Sequence, residues 1–147
     1  MRQVMQVNAV AGLGLEGDRA SANSGSKRQV TLIQSEYLAV VQSFLPSVDI
    51  TPANLRRNLV ISGIHLHALV KQIILIGDVR MEITGLCHPC KKLEQQLGLG
   101  VFNALRGHGG LTAKILSSGS IHVADSLDID LKETPTEQQQ SLQTKLL

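Results

Sequence analysis

The stretch GDVRMEITGLCHPCKKLEQQLGLGVFNALRGHGG, residues 77–110, decides how we interpret the rest of the chain. It contains both cysteines, Cys87 and Cys90, in a CHPC turn that follows a strand-like segment and precedes the helix-like KKLEQQLG. The first turn of a helix has unpaired backbone N–H groups and the positive end of the helix dipole, and both favour an anion. Because the thiolate is the reactive form of cysteine, the pattern predicts a reactive thiol at Cys90.

The composition is typical of one domain with an aliphatic core. Of the 147 residues, 43% are hydrophobic and 2% are aromatic, so Val, Ile and Leu must fill the interior, which suits strands. The net charge of +2 and the scarcity of aromatic side chains argue against nucleic acid as a partner. No apolar run approaches the roughly 20 residues that span a bilayer, and MRQVMQVNAV lacks the apolar region of a signal peptide. We therefore expect a cytoplasmic protein without a membrane partner.

Alternating apolar residues predict many short strands. We expect strands over residues 4–10, 28–33 and 59–63, two more from Leu66 to residue 85 joined by a hairpin turn at Gly77 and Asp78, and two or three after residue 110. Ser35 is expected to cap a helix over EYLAVVQSFL. This pattern indicates a mostly β barrel or sandwich with a few short helices over residues 1–131, followed by a polar tail at 132–147.

Arg57 and Asn58 lie where the short turn TPANLRRN meets the following strand. A guanidinium can hold a phosphate or carboxylate through two hydrogen bonds, and an Asn side chain can fix the edge of a ring. The pair is therefore a candidate anion site, with a surface turn as the alternative.

Two other groups of residues are candidates to line a cleft around this anion site. The glycines of RGHGG can bring backbone N–H groups close to a phosphate, or can serve only a tight connection. The Asp–Arg pair of GLEGDR can line the cleft, or can tie down the glycine loop in which it lies. The candidates are Gly107, Gly109, Gly110, Asp18 and Arg19.

The CHPC turn also permits a different chemistry, thiol–disulfide exchange between Cys87 and Cys90. The surrounding pattern is rich in hairpins and lacks the βαβ unit of thioredoxin-like proteins, which argues against this alternative. A zinc site would require four Cys or His ligands, and the CHPC pair has no second pair of that kind. His65 and His67 alternate along a predicted strand, where two imidazoles are typical of solvated surface.

Five segments of the chain resemble, in order, the MOSC domain, the module named after the C-terminal region of molybdenum cofactor sulfurases. They are GLEGDR (14–19), RQVTLI (28–33), RRNLVISGI (56–64), IGDVRMEITGLCHPC (76–90) and RGHGGLTAKILSSGSIHVAD (106–125). Many members of the family carry a His just after the GDR segment, whereas this chain has Ala20 and Ser21 there.

The resemblance implies a mostly β, MOSC-type β-barrel with one essential cysteine, which by position is Cys90. It implies binding of the molybdenum cofactor, a phosphate-bearing pterin dithiolene also called molybdopterin, or the handling of sulfur for it. Cys90 would then carry a persulfide, as in a sulfur transferase, or ligate molybdenum, as in a reductase of N-hydroxylated compounds.

The resemblance also implies which other molecules to expect. The pyridoxal phosphate chemistry sometimes attached to the family belongs to a separate cysteine desulfurase domain, so no pyridoxal phosphate site is expected in this chain. A cysteine desulfurase or an electron-transfer protein is the expected partner. Whether the chain is an enzyme in its own right stays open at this point.

Overall fold

Strands dominate the computed structural model, which describes residues 1–18 and 25–130. The strands are β1 (Gln6–Val10), β2 (Gly14–Leu15), β3 (Val30–Gln34), β4 (Leu59–Ile61), β5 (Ile73–Ile76), β6 (Val79–Leu86), β7 (Leu111–Ile115), β8 (Gly119–His122) and β9 (Leu127–Ile129). The helices are α1 (Ser35–Phe44), α2 (Lys91–Leu97) and α3 (Val101–Leu105), together with a 3₁₀ turn at Leu66–Leu69. The predicted mostly β fold with a few short helices is confirmed. Arg19, Ala20, Ser21 and the polar tail at 132–147 lie outside the described residues.

The strands form two sheets that share one core. The larger sheet has the order β4-β3-β7-β6-β5-β9 and curls as a half-barrel, and the smaller sheet has the order β2-β1-β8. Pairing is antiparallel except between β3 and β4. Ala9 and Ile121 of the smaller sheet pack in the same apolar cluster as Leu32, Met81 and Leu111 of the larger one. This aliphatic interior is what the shortage of aromatic residues predicts.

Strand β3 is buried on both faces and separates two apolar clusters. Leu32 faces the core between the sheets, whereas Ile33 faces a second cluster built with the helices. That second cluster contains Val41 of α1, Leu93 of α2 and Leu105 of α3. The three helices therefore cover the outer side of β3, and the CHPC turn lies where β6 leads into them.

Three local predictions can be compared directly with the structure. The hairpin turn at Gly77 and Asp78 is confirmed, because Ile76 pairs with Val79 across it. The strand predicted to start at Leu66 is wrong at its beginning, since residues 66–69 form the 3₁₀ turn and β5 starts at Ile73. The buried side chains of Leu66 and Leu69 are spaced by three residues, which suits a 3₁₀ turn better than a strand.

The prediction that Ser35 caps α1 is also wrong. Ser35 is the first residue of the helix, and its hydroxyl donates to Glu36 Oε2 at 3.2 Å. Gln34 occupies the N-cap position and makes no capping hydrogen bond with its side chain. Its amide oxygen instead accepts from the Leu66 backbone N–H at 3.2 Å, which ties the end of β3 to the 3₁₀ turn.

Across residues 1–18 and 25–130, no helix combines the length and apolarity needed to cross a membrane.

Candidate functional site

The CHPC turn places its two thiols in opposite environments. Cys87 is 2% exposed, and its backbone N–H donates to the Gly110 carbonyl at 2.8 Å. Cys90 is exposed and is the N-cap residue of α2, where its side chain makes no capping hydrogen bond. Both cysteines are free thiols. Cys90 therefore meets solvent-borne reactants, while Cys87 forms part of the wall behind it.

Glycines at the start of β7 hold the CHPC turn against the sheet. A methyl group on Gly109 would collide with the Cys87 carbonyl oxygen, and one on Gly110 would collide with the Leu32 carbonyl oxygen. Gly110 also has a φ of 91°, in the region that side chains disfavour. Gly107 differs. Its φ of 78° is also in the region that side chains disfavour, but nothing lies within 4 Å of the position that a methyl group would take. Gly109 and Gly110 thus serve close backbone packing, and Gly107 is the glycine with room beside it.

Arg57 lies in the interior beneath this corner and is 2% exposed. Its Nε donates to the Gly109 carbonyl at 2.7 Å, and its Nη1 donates to the Leu55 carbonyl at 2.6 Å. Its third nitrogen, Nη2, is buried and has no hydrogen-bond partner among the described residues. Burying a donor without a partner costs about 1–3 kcal/mol, and more for a charged group. The unpaired nitrogen is therefore a buried donor with hydrogen-bonding capacity to spare.

Nearby charges act on the Arg57 guanidinium, and two of them belong to the thiols of the CHPC turn. Burial lowers the pKa of the Arg57 guanidinium, thiolate charge on Cys87 raises it, the positive charge of Arg28 lowers it and thiolate charge on Cys90 raises it. An arginine stays charged in proteins even so.

A pocket of about 190 Å³ opens beside the turn. Its walls are formed by His67, residues 86–89, Arg106, Gly107, Gly109 and Gly110. An open depression of about 670 Å³ next to the end of α1 is larger, but Asp49 is the single charged side chain among its lining residues, which include no thiol. We take the smaller pocket as the site, since it combines the Cys87 thiol, two imidazoles and the Arg106 side chain. Cys90 and Arg57 are not among its lining residues: Cys90 is exposed at the end of the same turn, and Arg57 is buried.

The other predicted site residues lie in different places. The Asn58 side-chain oxygen accepts from the Thr31 backbone N–H at 2.9 Å and from the Thr31 hydroxyl at 3.0 Å. Asn58 thus joins β3 to the start of β4. Asp18 ends the turn after β2, where its N–H donates to the Leu15 carbonyl at 3.1 Å, and it does not line the pocket. A role in binding for Asn58, Asp18 and Arg19 stays a prediction.

Sequence reasoning missed several residues of this site. Arg28 was considered only as the start of a strand, and His67 only as solvated surface. The LRRN turn was a usable indication of Arg57, but nothing local indicated that Arg28 lies within electrostatic reach of it.

Within residues 1–18 and 25–130, no group of three or more His, Cys, Asp and Glu side chains is arranged to hold a metal ion.

Comparisons with known proteins agree with this architecture. The family model for the MOSC domain matches residues 19–128. The fold is similar to the crystal structure of YuaD from Bacillus subtilis, with a TM-score of 0.72 and 16% identity over 87% of this chain and 86% of that one. It is also similar to YiiM from Escherichia coli, with a TM-score of 0.69 and 19% identity over 85% of this chain.

The overlap with the YiiM proteins is partial. The chain spans 62% of the Escherichia coli YiiM chain and 56% of YiiM from Geobacillus stearothermophilus, which has a TM-score of 0.63, 19% identity and a match over 72% of this chain. At these identities the likeness concerns the fold. No curated protein matched the sequence.

Proposed function

The chain belongs to the MOSC domain family, and from that premise we propose that it binds the molybdenum cofactor, or carries sulfur for it, through Cys90. The observation that carries this proposal is the buried Arg57, whose Nη2 has no partner in the described structure and whose charge is within reach of both thiolates. A site with a soft sulfur next to a desolvated cation suits a ligand that is both thiophilic and anionic.

The residues present fit such a ligand. Cys90 would supply a thiolate ligand to molybdenum beside the pocket, and Arg106 with the backbone around Gly107 would hold an anionic oxygen or phosphate within it. The buried Arg57 would add a further hydrogen bond where the ligand reaches its Nη2. A pocket of about 190 Å³ is smaller than the 300–1,000 Å³ of typical ligand sites, so it suits the reactive end of a cofactor better than a whole pterin. When bound, the cofactor supplies the metal and its redox chemistry, and the protein supplies position and charge.

The same residues support a sulfur-carrier role without a bound cofactor. The Cys90 thiolate attacks the outer sulfur of a persulfide on a donor protein, and the S–S bond of the donor breaks. A new S–S bond forms on Cys90, the donor leaves as a thiolate, and no electrons are gained or lost overall. A cysteine desulfurase is the expected class of donor. An electron-transfer protein is the expected partner if the loaded domain works as part of a reductase.

Burial separates the roles of the two cysteines. Cys90 is exposed and can meet a sulfur atom on another protein, whereas Cys87 at 2% exposure cannot without opening the turn. Cys87 instead lines the pocket and adds negative charge next to Arg57 when it is ionised. We therefore assign the reacting sulfur to Cys90 and a supporting position to Cys87.

Replacement of each cysteine by serine tests this assignment. We expect Cys90→Ser to lose essentially all protein-bound sulfane sulfur and molybdenum, because serine provides neither a nucleophilic sulfur nor a soft ligand. Cys87→Ser is the matched control in the same turn, and we expect it to keep most of both. The measurements are sulfur released by cyanide and molybdenum content of protein purified without oxygen, with melting curves to confirm that both variants fold.

Two outcomes would count against the proposal. Retention of sulfur and molybdenum by Cys90→Ser would remove Cys90 from the chemistry. Equal losses in the two variants would favour a disulfide-forming pair over a single reacting thiol.

A further inference from the structure

Most of the ring-bearing side chains of this aromatic-poor protein gather at one edge of the pocket. The chain has one Tyr, two Phe and five His. The ring of Tyr37 lies 5.4 Å from that of His67 and 5.6 Å from that of His108, and the rings of His65 and His67 are 5.6 Å apart. Phe44 packs on His108 at 6.5 Å. We call Tyr37, His65, His67 and His108 the imidazole cluster.

Hydrogen bonds within the imidazole cluster run through one hydroxyl group. The Tyr37 hydroxyl lies 2.8 Å from His67 Nδ1 and 3.3 Å from His65 Nδ1. A phenol has a single O–H to donate and lone pairs with which to accept. If Tyr37 donates to one imidazole, the other must donate to Tyr37. The Tyr37 oxygen can also accept from both imidazoles, so the opposite assignment, with one Nδ1 carrying hydrogen and the other not, is the arrangement that transfer through Tyr37 requires.

This hydrogen-bonded chain leads from solvent to the pocket. His65 is exposed, Tyr37 is half-buried, and His67 is one of the residues that line the pocket with Cys87. Nδ1 of His67 is engaged by Tyr37, and Nε2 makes no hydrogen bond among the described residues. Nε2 is thus the nitrogen of His67 that is available to a ligand in the pocket.

We propose that His65, Tyr37 and His67 form a proton relay that delivers protons from solvent to the pocket. The inference rests on the proposed function in one respect, namely that chemistry takes place there. His65 takes a proton from water on Nε2 and gives its Nδ1 hydrogen to the Tyr37 oxygen. Tyr37 gives its own hydrogen to His67 Nδ1, and His67 releases its Nε2 hydrogen to a base in the pocket. One proton enters, one leaves, and the hydrogen bonds have reversed direction.

The surroundings of His67 disfavour its charged form, as a relay requires. Burial lowers the pKa of His67, and positive charge on His65 or His108 lowers it further. His67 therefore passes a proton on instead of storing it. Burial raises the pKa of Tyr37, and so does the charge of Glu36. The phenol therefore resists net loss of a proton and gives one hydrogen to His67 only as it receives another from His65.

Other charged or titratable groups also face the cluster or the pocket. The groups from the remaining elements are Cys87, His88 and Arg106, which line the pocket together with His67. His108 is held separately, because its Nδ1 lies 3.3 Å from the Ala104 carbonyl and must carry hydrogen to donate to it. That bond makes His108 a fixed neighbour of the relay and not a member of it.

The nitrogen shifts of ¹⁵N-labelled histidine, recorded by NMR across about pH 8 to pH 5, test the relay, since an ordinary imidazole gains its proton in this range. Whenever both nitrogens of His65 carry hydrogen, its Nδ1 cannot accept from Tyr37, so Tyr37 donates to His67. We expect His67 Nδ1 to move to the hydrogen-free type while His65 titrates. Tyr37→Phe should abolish this response, and Phe44→Leu, at the other side of the cluster, should leave it intact.

Three results would overturn the relay: Nδ1 atoms of the same type in both neutral histidines of the wild-type protein, a His67 shift that ignores the titration of His65, or an unchanged response in Tyr37→Phe. His65→Gln offers a second variant at an exposed position. Because the glutamine amide gains no proton in this range, we expect the change of His67 Nδ1 seen in the wild-type protein to be absent, and an unchanged response would contradict the relay. These shifts require no sulfur or cofactor, so the relay and the function of Cys90 can fail independently.

Discussion

Gly110→Ala is expected to lower the free energy of unfolding by about 2–5 kcal/mol, a large share of the roughly 5–15 kcal/mol that a small domain has available. Its φ of 91° alone would cost an alanine about 1–2 kcal/mol. In addition, the new methyl group would collide with the Leu32 carbonyl oxygen in β3, which has nowhere to go because that strand is buried on both faces. The two strands would have to separate, and the carbonyl of residue 110 would no longer reach Cys87 N–H.

Gly107→Ala is the matched control for this substitution. Its φ of 78° imposes a similar backbone strain, but nothing lies within 4 Å of the added methyl group. We expect the control to lose only about 1–2 kcal/mol. Urea unfolding of both variants measures the difference. Equal losses would show that backbone strain, and not the close approach to β3, accounts for the glycine at position 110.

Arg57→Met is expected to weaken the binding of an oxyanion by roughly 10- to 150-fold, the loss that follows when one hydrogen bond to a charged donor, worth about 1.5–3 kcal/mol, disappears. Nη2 is the donor concerned, because Nε and Nη1 are already bound to backbone carbonyls. Molybdate is the probe, and calorimetric titration measures its affinity. Arg57→Lys, which keeps the charge without the planar fork, should retain part of the binding.

Arg56→Met provides the control at the adjacent position. Arg56 is exposed, so its replacement by Met removes a guanidinium without altering the interior. We expect it to bind molybdate like the wild-type protein. An equal loss in Arg56→Met would indicate a diffuse surface charge effect, and full binding by Arg57→Met would exclude Nη2 as the anion donor.

The parts of the fold that local pattern determines were predictable from the sequence. The hairpin at Gly77 and Asp78 and the mostly β architecture follow from alternation and turn residues. The 3₁₀ turn at Leu66–Leu69 was not, because its two buried leucines lie in a short apolar run that also fits a strand. Ser35 does not cap α1, because the helix already begins at Ser35 and Gln34 is its N-cap residue. The Gln34 side chain accepts from the Leu66 N–H, 32 residues away, and no local pattern indicates that contact.

The candidate site was predictable where sequence neighbours build it and unpredictable where distant segments meet. Cys90 at the start of α2 follows from the CHPC turn and the helix after it. The burial of Arg57 depends on the Gly109 carbonyl, 52 residues away, and the imidazole cluster joins α1 to the 3₁₀ turn. Neither contact leaves a periodic pattern in the chain, so both required the folded structure.

The most direct test of the central claim is native mass spectrometry of the protein purified without oxygen or reductant, with any added mass localised within the CHPC turn. We predict an extra sulfur on Cys90, or a bound molybdopterin that is absent from Cys90→Ser. Loss of two hydrogens, mapped to a bond between Cys87 and Cys90 with no cofactor present, would contradict this account and assign the turn to thiol–disulfide exchange.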